Sequence, residues 1–298
     1  MKNKDGLTEE EFLKNYKPGN YERPSLTVDM VLFTLGDEEE EDIKKVPEKV
    51  LKVLLIKRNN HPFINCWAIP GGFVDINENI EEAVYRELKE ETNIDNVHLE
   101  QLYTWGDVKR DPRMRVVSTS YMALVNKDDI NARAGDDAAD VAWFNIKKVL
   151  KSAEDFKIVS HIILENKEQN IKIVYEITEH MEIKGYNKNS TFDIKLIEGE
   201  RGIAFDHIKI LNYSLERMRN KVQYTTIAFS LLPKEFTLME LQQVYELLLG
   251  RQLVKQNFRR WINPMVSKTG NVKSNRAYRP SSLYTLNKTY ILEEIKNI

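Results

Sequence analysis

The sequence predicts an α+β chain in two parts: a large acidic domain over residues 1–220 and a small basic helix-turn-helix domain over residues 221–298. Three observations carry that reading. Its 298 residues exceed one average domain and suit about two. Strand-length runs of Val, Leu and Ile fill much of the first 200 residues, and helical periodicity takes over beyond Pro233. The formal net charge of −2 hides two unlike halves, since residues 220–298 carry twelve Lys and Arg against five Asp and Glu, and the remainder 32 against 41.

Residues 1–22 are polar, contain Pro18 and Gly19, and read as a short helix and loop. Strands are expected at 25–35 and 49–58, where Val, Leu and Ile crowd at strand length. The segment between them, GDEEEEDIKKVPEK, is too charged to pack and reads as a solvated hairpin loop. WAIPGG closes an apolar run with Pro-Gly-Gly punctuation, after which Ile80, Ala83, Val84 and Leu88 recur at helical spacing. Further strands are expected at 99–105, 115–125 and 142–146, and IKIVYEI and TFDIKLI, parted by the polar GYNKNS, suggest an added hairpin over 171–197. Residues 204–221 read as a connecting helix.

In the tail, Thr237 with Glu240 makes a capping box for a helix whose Leu238, Leu241, Val244, Leu247 and Leu248 share a face, and Gly250 ends it. A second helix over 253–263 packs Val254, Phe258 and Ile262 inward and presents Lys255, Gln256, Arg259 and Arg260 outward. A Gly-Asn turn flanked by basic residues then leads into a strand, as in the wing of a winged helix. That wing brings Lys268, Lys273, Arg276 and Arg279 to a phosphate backbone. Residues 251–288 hold nine basic side chains and no acidic one, which suggests a polyanion partner, double-stranded DNA if the stretch is a winged helix.

With 42% hydrophobic and 30% charged residues and only 9 Pro and 12 Gly, the chain is neither disordered throughout nor a fibrous repeat. No uncharged apolar run approaches the ~18 residues that span a bilayer, and MKNKDGLTEEEF lacks the apolar heart of a secretion signal. The expected location is the cytoplasm, with no membrane partner. The single Cys66 excludes an internal disulfide and a cysteine zinc cluster, and reads as a small buried thiol.

Glu87, Glu90 and Glu91 stand at i, i+3 and i+4, so a helix projects all three from one face. Like charges so placed repel by roughly 0.2–0.5 kcal/mol per pair. A divalent cation relieves that repulsion, and oxygen-only ligands favour Mg²⁺ or Mn²⁺. Gly72, Glu78, Arg86, Glu87, Leu88, Glu90 and Glu91 follow the spacing G-x5-E-x7-R-E-L-x-E-E, which resembles the box of the Nudix family. Asn93 stands where the family has its closing glycine, and asparagine tolerates the left-handed backbone needed there. The resemblance implies a Nudix fold, a mixed sheet between helices, and Mg²⁺-dependent hydrolysis of a nucleoside diphosphate derivative. It makes Glu87, Glu90 and Glu91 metal ligands, joined by the carbonyl of Gly71 or its neighbour. It casts Arg86 as the residue that orients the carboxylates by pairing with Glu78, and Gly72 as part of the substrate loop. A base candidate outside the box is Asp136 or Asp137.

Arg110, Arg113 and Arg115 lie just ahead of a strand, and planar guanidinium forks suit phosphate recognition. Their segment, DPRMR, resembles the DPR-x-R region of Nudix proteins that handle ADP-ribose, which implies ADP-ribose as substrate and AMP with ribose 5-phosphate as products. Trp67, Phe73, Tyr103 and Trp105 are candidate faces for adenine. The order of parts, with AFDH in the connector and then LLPKEFTLMELQQVYELLLG and NFRRWINP, resembles the Nudix-related transcriptional regulators of NAD metabolism. Those proteins bind DNA through the tail and sense ADP-ribose, and many have lost charged residues of the box that this sequence keeps. The resemblance therefore implies a pyrophosphohydrolase first and an ADP-ribose-sensing regulator second, acting as a homodimer.

Overall fold

The computed structural model describes residues 2, 4, 6–17, 19, 22–37, 48–95, 97–126, 138–275 and 278–290. Most of the charged loop, the Asp136–Asp137 pair and Arg276 lie outside the described residues, as does the side chain of Arg279. After a short exposed helix α1 (Glu9–Asn15), the chain enters β1 (Ser25–Asp37), β2 (Lys49–Arg58), β3 (Trp67–Ala68) and β4 (Gly71–Phe73). Helix α2 (Ile80–Thr92) follows, then β5 (Glu100–Trp105), β6 (Val116–Leu124), β7 (Ala138–Glu154), β8 (Lys157–Asn166), β9 (Ile171–Lys184) and β10 (Asn187–Glu198). All ten strands form one sheet, ordered β10-β9-β8-β7-β2-β1-β6-β5, with β3 beside β2 and β4 beside β1. β1 and β6 run parallel and the other pairs antiparallel, so the sheet is mixed.

The near-continuous apolar run of β1 is explained by helices on both faces. Val28, Met30 and Leu32 face Ala83, Val84 and Leu88 of α2. Val31, Phe33 and Leu35 point the other way, towards Ile210, Leu211 and Leu215 of α3 (His207–Lys221). Each fully buried Leu, Ile or Phe contributes about 1.5–3 kcal/mol.

The expected short strand at 142–146 is part of the 17-residue β7, and β8 had no counterpart in the sequence reading. The two join through Asp155 and Phe156, both left-handed (φ 42° and 67°), so no glycine or asparagine announces the turn. Lysines on the solvent side of β7 also interrupt its apolar pattern. β9 and β10 extend this same sheet, and their turn is only Gly185-Tyr186, the following polar residues belonging to β10.

α3 links both parts of the chain. Its Ile210, Leu211 and Met218 share one core with Phe33 and Phe144 of the sheet and with Leu241, Val244 and Leu248 of α4 (Leu238–Leu249). α4 starts at the Thr237–Glu240 capping box and ends at left-handed Gly250. α5 (Lys255–Ile262) buries Phe258 and Ile262, while Val254 is 67% exposed because it precedes the helix as its N-cap. β11 (Val266–Asn275) and β12 (Tyr278–Leu286) form an antiparallel wing. Among the described residues no helix is long and apolar enough to cross a membrane. Cys66 is partly exposed rather than buried, because its loop lies at the rim of the sheet.

Candidate functional site

A cleft of about 330 Å³ opens where β1, β4, α2 and the start of α3 meet. Its α2 wall is organised by Arg86. The guanidinium donates to Glu78 at 3.0 and 2.6 Å, to the Phe73 carbonyl at 2.9 Å, to Glu87 at 2.8 Å and to Glu90 at 3.0 Å. These bonds raise the Arg86 pKa and, with the Asp75 N–H, hold the Glu78 carboxyl down at about 2.

Glu87 and Glu91 line the cleft, whereas Glu90 is 56% exposed and turned to Arg86. Gly72 permits the approach, for a Cβ there would overlap the Glu87 carboxylate. Burial raises the Glu87 carboxyl despite Arg86. Glu91 is 8% exposed and accepts the Gly71 N–H at 2.6 Å, and burial together with the Glu87 charge pushes it up to about 8. Among the described residues no group of three or more His, Cys, Asp or Glu is gathered for a metal. Two desolvated carboxylates that repel each other do fit a divalent cation, which would need further oxygens to complete its shell. Asn93 ends α2 in the left-handed region (φ 56°, ψ 22°), with its N–H on the Lys89 carbonyl at 2.9 Å.

The floor is a buried ionic network. Arg110 donates to Asp206 at 3.1 and 2.9 Å and to Asp29 at 3.2 Å, and Ser118 donates to Asp29 at 2.5 Å. His207 accepts the Ile69 N–H on Nδ1 at 3.2 Å and sets Nε2 3.4 Å from Asp29. Burial lowers the His207 pKa in spite of Asp29 and Asp206, leaving a neutral ring. Asp206 and His207 belong to the AFDH segment, which the sequence reading treated only as connector.

The three arginines of the DPRMR segment take different positions. Arg110 lines the cleft but is consumed by Asp29 and Asp206. Arg113 forms a fork on Asp111 at 3.0 and 2.8 Å and lies 5.3 Å from the Phe73 ring and 5.8 Å from the Phe205 ring. Arg115 donates to the Gly106 and Asp107 carbonyls and braces its loop outside the cleft. Of the aromatic candidates only Phe73 lines the cleft. Trp67 packs on Phe144 in the core, and Tyr103 and Trp105 cluster with Tyr213. The sequence reading missed Phe205, left-handed at φ 53°, and Arg58, both of which line the cleft. No local signal marks either, since they come together only when β2 and the AFDH segment meet.

In the winged part, Lys255, Gln256, Arg259 and Arg260 are exposed on α5, and Lys268 is exposed on the wing. Lys273 pairs with Glu240 at 2.6 Å and so ties the wing to the start of α4. Lys255 and Arg259 share a polar groove of about 530 Å³ with Thr237, Gln242, Ser281 and Ser282.

Residues 31–163 match the NUDIX domain model, and residues 228–286 match the model of the NrtR DNA-binding winged helix domain. The chain is 32% identical over 281 residues to the ADPR responsive transcriptional repressor NtrR of Acinetobacter baylyi, spanning 93% of this chain and 88% of that one. It is 43% identical over 108 residues to the ADP-ribose pyrophosphatase of Methanocaldococcus jannaschii, spanning 36% of this chain and 63% of that one. Its fold is similar to a MutT/nudix family protein from Enterococcus faecalis (TM-score 0.67, 31% identity, 94% of each chain). It is also similar to Shewanella oneidensis NrtR complexed with a 27mer DNA (TM-score 0.57, 28% identity, 89% of this chain and 94% of that one).

Proposed function

This chain belongs to the family of Nudix proteins that end in an NrtR winged helix, and from that premise we propose that it is a DNA-binding transcriptional regulator whose Nudix cleft takes ADP-ribose. The observation that carries the reading is the single core joining the ligand cleft, α3 and the winged helix. A relative similar over nearly the whole chain is a repressor responsive to ADPR. Lys255, Gln256, Arg259 and Arg260 on α5 are the groups we assign to DNA, with Lys268, Arg276 and Arg279 of the wing on phosphates and Lys273 held by Glu240 until it is drawn to the backbone. The working unit is a homodimer in the cytoplasm, since a two-fold pair offers two recognition helices to a palindrome. Light scattering at twice the chain mass checks it. The test of function is selection of duplexes from a random pool, followed by titration of the bound duplex with ADP-ribose. Release or tightening over a saturable range supports the reading. A protein that retains no duplex, or whose duplex binding ignores ADP-ribose, refutes it.

A second reading has its own observation, the full set of charged box residues with Glu87 and Glu91 in the cleft. On it the protein also hydrolyses ADP-ribose to AMP and ribose 5-phosphate. Glu87 and Glu91 would hold a Mg²⁺ or Mn²⁺ ion, with Glu90 and the Gly71 carbonyl as further candidate oxygens, and such an ion would supply charge neutralisation for a diphosphate and a more acidic water. Arg86 holds Glu87 and Glu78 in place, Gly72 opens room for the Glu87 carboxylate, and Phe73 and Phe205 offer apolar faces to the base. Phosphorus NMR of ADP-ribose with protein and Mg²⁺ decides. AMP that Glu91→Gln abolishes supports hydrolysis, and unchanged ADP-ribose leaves regulation alone.

A further inference from the structure

Resting on the reading of the cleft as a site for a nucleoside diphosphate, we infer that Arg58 is the residue that grips the ligand's diphosphate, a role no box residue fills. Arg58 ends β2, and its guanidinium enters the cleft facing the Phe205 ring at 4.9 Å. Its orientation is set before any ligand arrives. Nε donates to the Pro62 carbonyl at 2.8 Å, the backbone N–H donates to Cys66 at 3.0 Å, and its carbonyl accepts from Asn65 at 2.9 Å. The loop that supplies these partners is tied in turn by Arg201, which donates to the Ile64 carbonyl at 2.9 Å.

What remains is a fixed fork whose two terminal nitrogens have no hydrogen-bond partner among the described residues. The cleft's other arginines differ. Arg86 is spent on Glu78, Glu87 and Glu90, Arg110 on Asp29 and Asp206, and Arg113 on Asp111. Burial and, after it, the Arg113 charge lower the Arg58 pKa, with Glu91 and Asp111 pulling the other way by less. A partly buried guanidinium whose terminal nitrogens lack hydrogen bonds gains from an anion that reaches it. A planar fork with two free N–H edges matches two oxygens of one phosphate. The carboxylates of Glu87 and Glu91 line the same cleft, so a diphosphate bound there would be within the reach of both Arg58 and any cation those carboxylates would hold.

The experiment is calorimetric titration of the full chain with ADP-ribose and, separately, with inorganic pyrophosphate, each at several salt concentrations. Arg58→Gln removes the charge yet keeps a donor for the Pro62 carbonyl, and Arg58→Lys keeps the charge without the fork. Arg58→Gln is expected to weaken both anions roughly ten- to hundred-fold, the usual worth of a hydrogen bond to a charged group. Its salt dependence is expected to flatten. Arg58→Lys is expected to recover part of the affinity, with melting temperatures close to that of the unmodified protein. Equal affinities in the protein and Arg58→Gln overturn the inference, as does a loss that Arg58→Lys does not relieve and salt does not touch, which marks a structural role. Binding of pyrophosphate but not ADP-ribose keeps Arg58 as an anion seat while the ADP-ribose reading falls. Binding of neither overturns both.

Discussion

Replacing Arg110 by methionine separates a structural arginine from a ligand-binding one. The side chain is 5% exposed, and Asp29 and Asp206, which it holds with three hydrogen bonds, are each 8% exposed. Arg110→Met keeps most of the volume and removes the charge, which leaves two buried carboxylates with Ser118 and the neutral His207 beside Asp29 and no cation hydrogen-bonded to either among the described residues. Breaking a buried ion pair from one side costs about 3–5 kcal/mol. At about 2–4 °C per kcal/mol for a protein of this size, the thermal midpoint is expected to fall by roughly 6–20 °C at pH 7.5. Calorimetric melting at pH 7.5 reads the effect. A loss below about 1 kcal/mol, accompanied by lost ADP-ribose binding, refutes the reasoning and returns Arg110 to ligand recognition.

Glu91→Gln is expected to stabilise the metal-free protein at pH 8. A carboxyl raised to about 8 from an ordinary 4.5 carries no penalty below 4.5, and its folded state loses stability as pH rises through that window, so the gain should vanish by about pH 4. Melting curves across pH, with Mg²⁺ narrowing the difference, check this. Gly72→Ala places a methyl against the Glu87 carboxylate and is expected to cost about 1–3 kcal/mol and to displace Glu87 from the cleft, read as weakened metal-dependent ligand binding. Arg259→Ala with Arg260→Ala is expected to weaken duplex binding across sequences and to reduce the salt slope by about 0.9 per lost phosphate contact, whereas an unchanged slope assigns α5 another role. His207 is neutral when folded, so stability should fall as pH drops below about 6.5, and His207→Gln should remove that component.

The carboxylate helix and the winged tail were legible because each depends on local pattern, and the mixed sheet between helices followed only from the resemblance that the box carries. Apolar spacing marks α2 and α4, Thr237 and Glu240 announce a cap, and the Gly72-to-Glu91 spacing lies within one loop and one helix. The β7–β8 hairpin was not legible, since its turn has no glycine and includes Phe156, a bulky residue that seldom adopts a left-handed backbone. The arginines of DPRMR could be named from sequence, but not which of them faces a ligand.

That last distinction belongs to tertiary structure. Residue order sets charge, helix faces and the box, all consequences of side chains within a few positions of one another. Only the meeting of β1, the residue 106–115 loop and the start of α3 decides that Arg110 is neutralised by Asp29 and Asp206. Only the meeting of β2 with the AFDH segment sets Arg58 against Phe205. Pairings across 81–147 positions leave no periodic trace in a sequence, because their energy comes from burial and charge compensation that exist only once the chain is folded.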